Sequence, residues 1–290
     1  VITKYVYGLL EVDLGLQKLK VPKDGDEMES TFVFASPNIF MNTERLLILI
    51  HGSGVVRAGQ WARSLIINDS IQTGTQIPNI RKAQELGYEI LVLNTNDNIR
   101  FICKQPVEIK ESASPEEHAN YVWNNYVKQI NPKHIAIIAH SYGGCVTLDL
   151  AVKHFSDFED KVFAIALTDS VHNVRYQKVP SKVMKYLKKV AINWAAHNSP
   201  LDTPLKMPIK EDIPRVSAGH TKHEMTTWSS FESINKFIQE RYDSLTDMEN
   251  DGKIVQTDGH KSQCKHDSIQ DSAAPWCVLN YITGSYNPGN

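Results

Sequence analysis

The sequence lacks the features that mark several large classes of protein. Its 290 residues contain only four cysteines, too few for a disulfide framework, so a reducing compartment is the default expectation. No apolar run approaches the roughly eighteen residues that a membrane span requires. Lys and Arg number 31 against 33 Asp and Glu, and the resulting net charge of −2 argues against direct nucleic-acid binding.

Cofactor and metal motifs are also lacking. The sequence has no glycine-rich phosphate loop, and the run Gly-Ser-Gly at residues 52–54 is too short for a dinucleotide fingerprint. Four potential zinc ligands near the C-terminus contain no Cys-x-x-Cys knuckle: His260, Cys264, His266 and Cys277. We therefore expect neither a cofactor nor a bound metal.

The most informative segment that is present is HIAIIAHSYGG, residues 134–144. Its apolar residues predict a short buried strand, and a helical pattern follows directly. A strand that ends in a serine and turns at once into a helix is the nucleophile elbow of an α/β-hydrolase, where the tight turn exposes the serine Oγ. Glycine is favoured two residues on either side of the serine; Gly143 fits this pattern, and Ala139 departs from it by one methyl group. Ser141 is therefore the candidate nucleophile.

The wider pattern predicts an α/β fold. Strand-like apolar runs alternate with helical patterns, which is typical of a mostly parallel sheet with helices on both faces. One helix has a clear start, because Ser114, Pro115 and Glu117 form a capping box with proline at the first helical position. The predicted strands are Thr31–Ala35, Leu46–Ile50, Ile90–Asn94, Ile135–Ala139, Val162–Thr168 and Arg215–Ala218.

The chain is predicted to divide into two parts. Residues 1–242 carry the periodic patterns and form the expected α/β-hydrolase-like domain. From Asp243 onward the periodicity disappears and Asp, Ser, Lys, Gln and Gly dominate. We expect residues 243–290 to be a polar, disordered C-terminal tail, apart from a short apolar patch around Trp276 to Ile282.

A serine nucleophile also needs N–H donors for the developing oxyanion. The predicted strand ending at Ile50 runs into His51, Gly52, Ser53 and Gly54, and this loop allows backbone N–H groups to point at a substrate. Ser53 and Tyr142, which follows the nucleophile, are the predicted oxyanion-hole residues. The alternative interpretation of the loop is an ordinary tight turn, since glycine after a strand usually forms one.

The general base is expected in a loop after the last strand. His223 has this position, between the last predicted strand and the final helix of the domain. His220 is its close rival, whereas His172 comes too early in the chain for the usual order. A single histidine is more often a surface or hydrogen-bonded residue than a catalyst, so position alone does not decide the choice.

Two aspartates compete for the role of the triad acid. Asp169 directly follows the strand Val162–Thr168, and the carboxyl ends of parallel strands meet at the crevice that holds the serine. Asp202 lies between Pro200 and Pro204 and has an alternative role as a turn or cap residue. Asp169 has the better position, but the residues alone leave the choice open.

Several of these motifs, in this order, resemble one family, the argonaute-binding-protein-two domain, and more closely its animal cotranscriptional-regulator branch. The resemblance extends over roughly residues 2–240. The matching segments are HGSGVVRAGQWARSLIINDS (51–70), AHSYGG (139–144), ALTDSVHNV (166–174), PLDTP (200–204) and RVSAGHTKHEMTTW (215–228).

The resemblance implies both a fold and a role. It implies an α/β-hydrolase-like fold with a serine nucleophile at Ser141, and His223 matches the family pattern at its His-Glu dipeptide. It also implies work in the nucleus and cytoplasm through protein partners, namely argonaute and chromatin or splicing factors, in gene silencing and alternative splicing. Two hypotheses therefore stand together: a serine hydrolase of an ester, thioester or amide, and a binding module that keeps the elbow for packing.

Overall fold

The computed structural model describes residues 1–207 and 209–257, with side chains up to residue 249. Val1–Gln239 form one compact unit. The four potential zinc ligands and the apolar patch around Trp276 named above lie outside the described residues.

One large sheet organises this unit. Eight strands lie in the order β1-β2-β4-β3-β7-β8-β9-β10, and β5 pairs with β6 in a separate hairpin. The pairs from β4 to β10 are parallel, whereas β1 and β2 add an antiparallel edge. The strands are β1 (Gln17–Val21), β2 (Thr31–Ala35), β3 (Arg45–Ile50), β4 (Glu89–Val92), β5 (Ile99–Ile102), β6 (Gln105–Glu108), β7 (His134–His140), β8 (Val162–Thr168), β9 (Ala191–Ala195) and β10 (Arg215–Ser217).

Helices connect most of the parallel strands. A π-helical turn follows the fifth helix at Trp123–Val127, and a 3₁₀ turn stands at His223–Met225. Among the described residues, no helix is long and apolar enough to cross a membrane. The helices are α1 (Ile2–Val12), α2 (Arg63–Asn68), α3 (Ile71–Gly74), α4 (Ile77–Glu85), α5 (Pro115–Val122), α6 (Lys128–Ile130), α7 (Gly143–Lys153), α8 (Phe155–Lys161), α9 (Ser181–Val190), α10 (Thr226–Ser229) and α11 (Phe231–Thr257).

The central strands show why the sheet is covered by helices. Every residue of β7 and of β8 is buried, as expected for parallel strands whose two faces are both packed. The N-cap bond of the predicted capping box forms: the Ser114 Oγ accepts a hydrogen bond from the Glu117 N–H at 3.1 Å, at the start of α5. The predicted fold class is confirmed, a mostly parallel α/β sheet with helices.

Several elements differ from the sequence prediction. Strands β1, β5, β6 and β9 were not predicted, although β9 lies between β8 and β10 in the sheet. Helix α11 continues to Thr257, past Asp243 where the apolar period ends. Glu, Met and Lys in this segment favour a helix even without an apolar face. The division into a domain and a tail stays a prediction.

Candidate active site

The candidate nucleophile lies at a strained turn. Strand β7 ends at His140, Ser141 has a φ of +53°, and α7 begins at Gly143. A positive φ is uncommon for a residue with a side chain and persists only where the surroundings hold it. Here the Ser141 N–H donates to the Thr168 carbonyl at 2.9 Å, and the Ser141 carbonyl accepts from the Gly144 N–H at 3.1 Å. The local geometry is that of a nucleophile elbow.

The two glycines after the serine are required by close packing. A Cβ on Gly143 would lie 2.5 Å from the Ile50 carbonyl oxygen, at the end of β3. A Cβ on Gly144 would lie only 1.8 Å from Ser170 Oγ. Any larger residue at either position would push α7 away from the strand ends, so the sequence Tyr-Gly-Gly fixes where the elbow sits.

The loop after β3 reaches the serine. A Cβ on Gly52 would lie 2.9 Å from Ser141 Cβ and 3.4 Å from Ser141 Oγ, so only glycine lets the backbone approach this closely. Ser53 follows in an exposed position, and Tyr142 stands at the N-cap of α7. Within the described residues, neither the Ser53 N–H nor the Tyr142 N–H donates to a protein acceptor. Both donors are therefore available for a ligand.

A residue that the sequence analysis missed fastens this loop. The Asn96 side-chain Nδ2 donates to the carbonyl oxygens of Gly52 at 2.8 Å, Gly54 at 3.2 Å and Val56 at 3.2 Å. These bonds turn three carbonyls toward Asn96 and fix the loop's orientation. The position of Asn96 in the chain could have indicated this role. Asn96 closely follows the carboxyl end of β4, at the edge of the sheet where the serine lies.

His223 and Asp169 form a close pair at the same edge of the sheet. The His223 Nδ1–H donates to Asp169 Oδ2 at 2.7 Å, and the Ala196 N–H donates to Asp169 Oδ1 at 3.0 Å. The hydrogen bond to Asp169 raises the pKa of His223, although partial burial opposes the shift. Burial alone would raise the pKa of Asp169, but its hydrogen bonds from His223 and Ala196 hold it below the usual value.

The pair contacts the elbow through His140, the residue that directly precedes Ser141. The rings of His140 and His223 are 4.6 Å apart between centroids. Within the described residues, no hydrogen bond yet joins Ser141 Oγ to the His223 ring. Catalytic hydrogen bonds are often long in the absence of substrate and shorten when it binds. The structure thus brings the predicted base and acid together and places the base against His140, the residue before the predicted nucleophile.

His140 itself is a buried, neutral support. Its Nδ1 is 3.0 Å from Thr168 Oγ1, which is in turn 2.6 Å from Thr227 Oγ1. Burial, reinforced by the nearby charge of His223, lowers the pKa of His140 to about 3. The ring therefore supports the base without titrating beside it near neutral pH. Sequence reasoning missed this role, because a histidine at the end of a buried strand has no distinctive pattern.

The rival residues have other partners. His220 uses Nδ1 to accept from the Lys222 N–H at 3.0 Å. Asp202 accepts from Trp194 Nε1 at 2.8 Å with one oxygen and from Ser233 Oγ at 2.6 Å with the other. Asp202 is thus a structural acceptor, and the acid beside His223 is Asp169.

His172 belongs to a separate buried cluster. Its Nε2 is 2.9 Å from Asp212 Oδ1, and its Nδ1 is 2.7 Å from Ser170 Oγ. Both ring nitrogens are therefore occupied. In the part of the chain that the structure describes, no group of three or more His, Cys, Asp and Glu side chains could hold a metal ion.

Comparison with known proteins decides the family. The family model described as the Arb2 domain matches residues 1–201. The chain belongs to the Arb2 domain family. It is 39% identical over 290 aligned positions to the mouse protein named cotranscriptional regulator ARB2A, covering 83% of this chain and 69% of that one. A Caenorhabditis elegans protein named FAM172 family protein homolog is 40% identical, with coverage of 79% of this chain and 71% of the relative.

A solved structure shares the fold of this Arb2 domain chain. A histone deacetylase from Saccharomyces cerevisiae superposes with a TM-score of 0.55 at 16% identity, covering 82% of this chain and 95% of that chain. At this identity the likeness extends to the fold alone. The family that the sequence motifs indicated is confirmed.

Proposed function

We propose that this chain acts as a cotranscriptional or silencing-linked regulator and that it works through protein partners. The observation that carries the proposal is the 39% identity, over most of the chain, to proteins named cotranscriptional regulators. The family resemblance suggests argonaute and chromatin or splicing factors as partners, with sites of action in the nucleus and cytoplasm. A net charge of −2 fits contact with proteins better than direct contact with nucleic acid.

Affinity capture tests this role. The tagged chain is expressed in cells, captured from nuclear and cytoplasmic fractions treated with nuclease, and its partners are identified by mass spectrometry. We expect argonaute, chromatin or splicing proteins to be enriched over a tag-only control, and splice-site choice to change on depletion. No enrichment of these proteins after nuclease treatment, or depletion without any splicing or silencing effect, would contradict the proposal.

One observation favours a second activity, serine hydrolysis. The His223–Asp169 pair, hydrogen-bonded at 2.7 Å, contacts His140, the residue before a serine held at a positive φ. In this mechanism Ser141 Oγ attacks the carbonyl carbon of an ester, thioester or amide, and His223 Nε2 accepts the Oγ proton. The N–H groups of Ser53 and Tyr142 bind the oxyanion, and Asp169 orients the imidazolium. His223 passes the proton to the leaving group, and water then hydrolyses the acyl-enzyme.

Fluorophosphonate labelling tests the hydrolase directly. We expect a single phosphonylated residue, Ser141, by peptide mass spectrometry, and no labelling of Ser141→Ala. Ser170→Ala is the matched control. This neighbouring serine is hydrogen-bonded to His172 and should not react with the fluorophosphonate, so its replacement should leave labelling unchanged. If the protein is folded, as shown by a normal thermal melt, but is not labelled, the proposed hydrolase activity is contradicted and the regulator role is unaffected.

A further inference from the structure

A groove lies along one side of α7, beyond the candidate triad. It encloses about 370 Å³ between α7, the start of α5 and the segment 171–177. Its floor is the helical face formed by Cys145, Leu148 and Val152, spaced three and four residues apart. Val171 and Tyr176, exposed at 55% and 87%, form the opposite wall. The groove is therefore a mostly apolar channel that is open to solvent.

The Cys145 thiol in the floor of the groove serves packing and not chemistry. Burial is the main cause that raises the pKa of the Cys145 thiol, to about 11. The thiol is neutral at physiological pH and is a poor nucleophile, because only the thiolate reacts readily. The groove thus offers an uncharged, polarizable floor to an aliphatic chain.

Negative charge lies at the rim of this apolar channel. Glu116 and Asp149 both line the groove, and no Lys or Arg is among the described residues that do. Asp149 is already paired with Lys153 at 2.9 Å. Glu116 Oε1 accepts a hydrogen bond from the Tyr142 hydroxyl at 2.7 Å. Within the described residues, Glu116 forms no ion pair. One carboxylate at the groove therefore has no cationic partner of its own.

Aromatic rings accompany that carboxylate. Tyr142 touches Glu116 through its hydroxyl, and Tyr176 lines the same groove. Interaction with the Glu116 carboxylate is the main reason that the pKa of Tyr142 is raised, so its hydroxyl stays protonated. A carboxylate next to tyrosine rings is a favourable site for an ammonium group, which gains both a charge-assisted hydrogen bond and cation–π attraction.

We propose that this groove binds the side chain of a lysine presented by a partner polypeptide. The lysine methylenes lie along Cys145 and Val152, above the buried Leu148, and the ammonium meets Glu116 and the tyrosines. Lysine has the required chemistry, an aliphatic stem that packs on apolar surface below a compact cationic head. The inference rests on the partner-binding role proposed above and gives the partner's contact a chemical identity.

Peptide titration tests the proposal. The protein is methyl-labelled at Leu and Val and titrated with a capped five-residue peptide that has one lysine among glycines. Matched peptides replace the lysine by norleucine or by glutamate. We expect saturable shifts of the Leu148, Val152 and Val171 methyl signals with the lysine peptide, about tenfold weaker binding of norleucine, and no binding of glutamate. Equal shifts with all three peptides, or none with lysine, would overturn the proposal.

A variant pair locates the charge. Glu116→Gln keeps an oxygen that accepts the Tyr142 hydroxyl, and we expect it to weaken lysine-peptide binding about tenfold while leaving the norleucine peptide unchanged. Glu117→Gln is the matched control, since this neighbour does not line the groove. Thermal melts confirm that both variants fold. A lysine affinity that is the same in both variants would refute the assigned contact.

The two proposals fail in different ways. Lysine-peptide binding without argonaute, chromatin or splicing partners in the capture experiment would refute the proposed regulator role and leave the groove assignment intact. Cellular partners that are captured normally, together with a groove that shows no preference for lysine, would refute the groove assignment alone.

Discussion

Two histidine–aspartate pairs stand close together in this fold and have very different surroundings. His223 and Asp169 are 2.7 Å apart, with side chains 43% and 22% exposed. His172 and Asp212 are 2.9 Å apart, with side chains 3% and 10% exposed. In the buried pair the second ring nitrogen is also occupied, by Ser170 Oγ at 2.7 Å. Within the described residues, nothing hydrogen-bonds the second nitrogen of His223.

The difference separates two uses of one chemical pair. A ring with both nitrogens occupied and no access to solvent serves to fix the backbone, here the segment after β8 that contains Ser170. A ring with one nitrogen available beside a nucleophile elbow is suited to accept a proton. The same His–carboxylate pair is thus expected to serve packing in one place and chemistry in the other, and mutation of each should affect a different measurement.

The largest expected effect separates the two pairs by reactivity. We expect Asp169→Asn to slow phosphonylation of Ser141 by roughly 10⁴-fold, because the imidazole loses the carboxylate that fixes its tautomer. Asp212→Asn should leave the rate for folded protein nearly unchanged. The measurement is the second-order rate of labelling by a fluorophosphonate, followed by intact-protein mass spectrometry. Comparable rates in both variants would remove the distinction between the pairs.

The second largest expected effect is on stability, where the buried pair should matter more than the exposed pair. We expect Asp212→Ala to lower the free energy of unfolding by about 3 kcal/mol, since it leaves a buried imidazole without its partner. Asp169→Ala should cost about 1 kcal/mol or less, because that pair is partly solvated. Urea unfolding followed by tryptophan fluorescence measures both values. A larger loss for Asp169→Ala would show that the exposed pair is the structural one.

The sequence carries most information where the signal is local. The elbow at Ser141 and the position of His223 after the final strand both follow from a strand end and its next few residues. The glycines of the elbow were predictable for the same reason, since a tight turn excludes side chains. The choice between Asp169 and Asp202 was not local. It depends on Trp194 and Ser233, which occupy both oxygens of Asp202.

Other features depended on contacts that one sequence does not reveal. Strand β9, Ala-Ile-Asn-Trp-Ala, follows α9 without an intervening turn, so its five residues have no boundary signal. The ring contact between His140 and His223 and the three hydrogen bonds of Asn96 join segments far apart in the chain. Tertiary packing, rather than any motif, creates these supports.

The pH dependence of labelling sharpens the assignment of the base. Only the neutral imidazole accepts the serine proton, so the labelling rate should rise with pH through the pKa of His223. Because the hydrogen bond to Asp169 raises that pKa above 6.5, we expect the midpoint above pH 6.5. In Asp169→Asn the midpoint should move to lower pH, although the plateau is far lower. A midpoint unchanged by that substitution would mean that another group controls the reaction.

The smallest expected effect concerns the loop after β3, which closely approaches Ser141. Asn96→Ala removes three hydrogen bonds to the carbonyls of Gly52, Gly54 and Val56, so the Ser53 N–H should lose its fixed direction. We expect labelling of Ser141 to slow about tenfold through poorer oxyanion positioning. Asn98→Ala is the matched control, because its amide also bonds two carbonyls, those of Thr95 and Ser112, away from the glycine loop. An equal slowing in both variants would indicate a general loss of rigidity, whereas slowing in Asn96→Ala alone would show that the exposed pair depends on a specifically oriented loop.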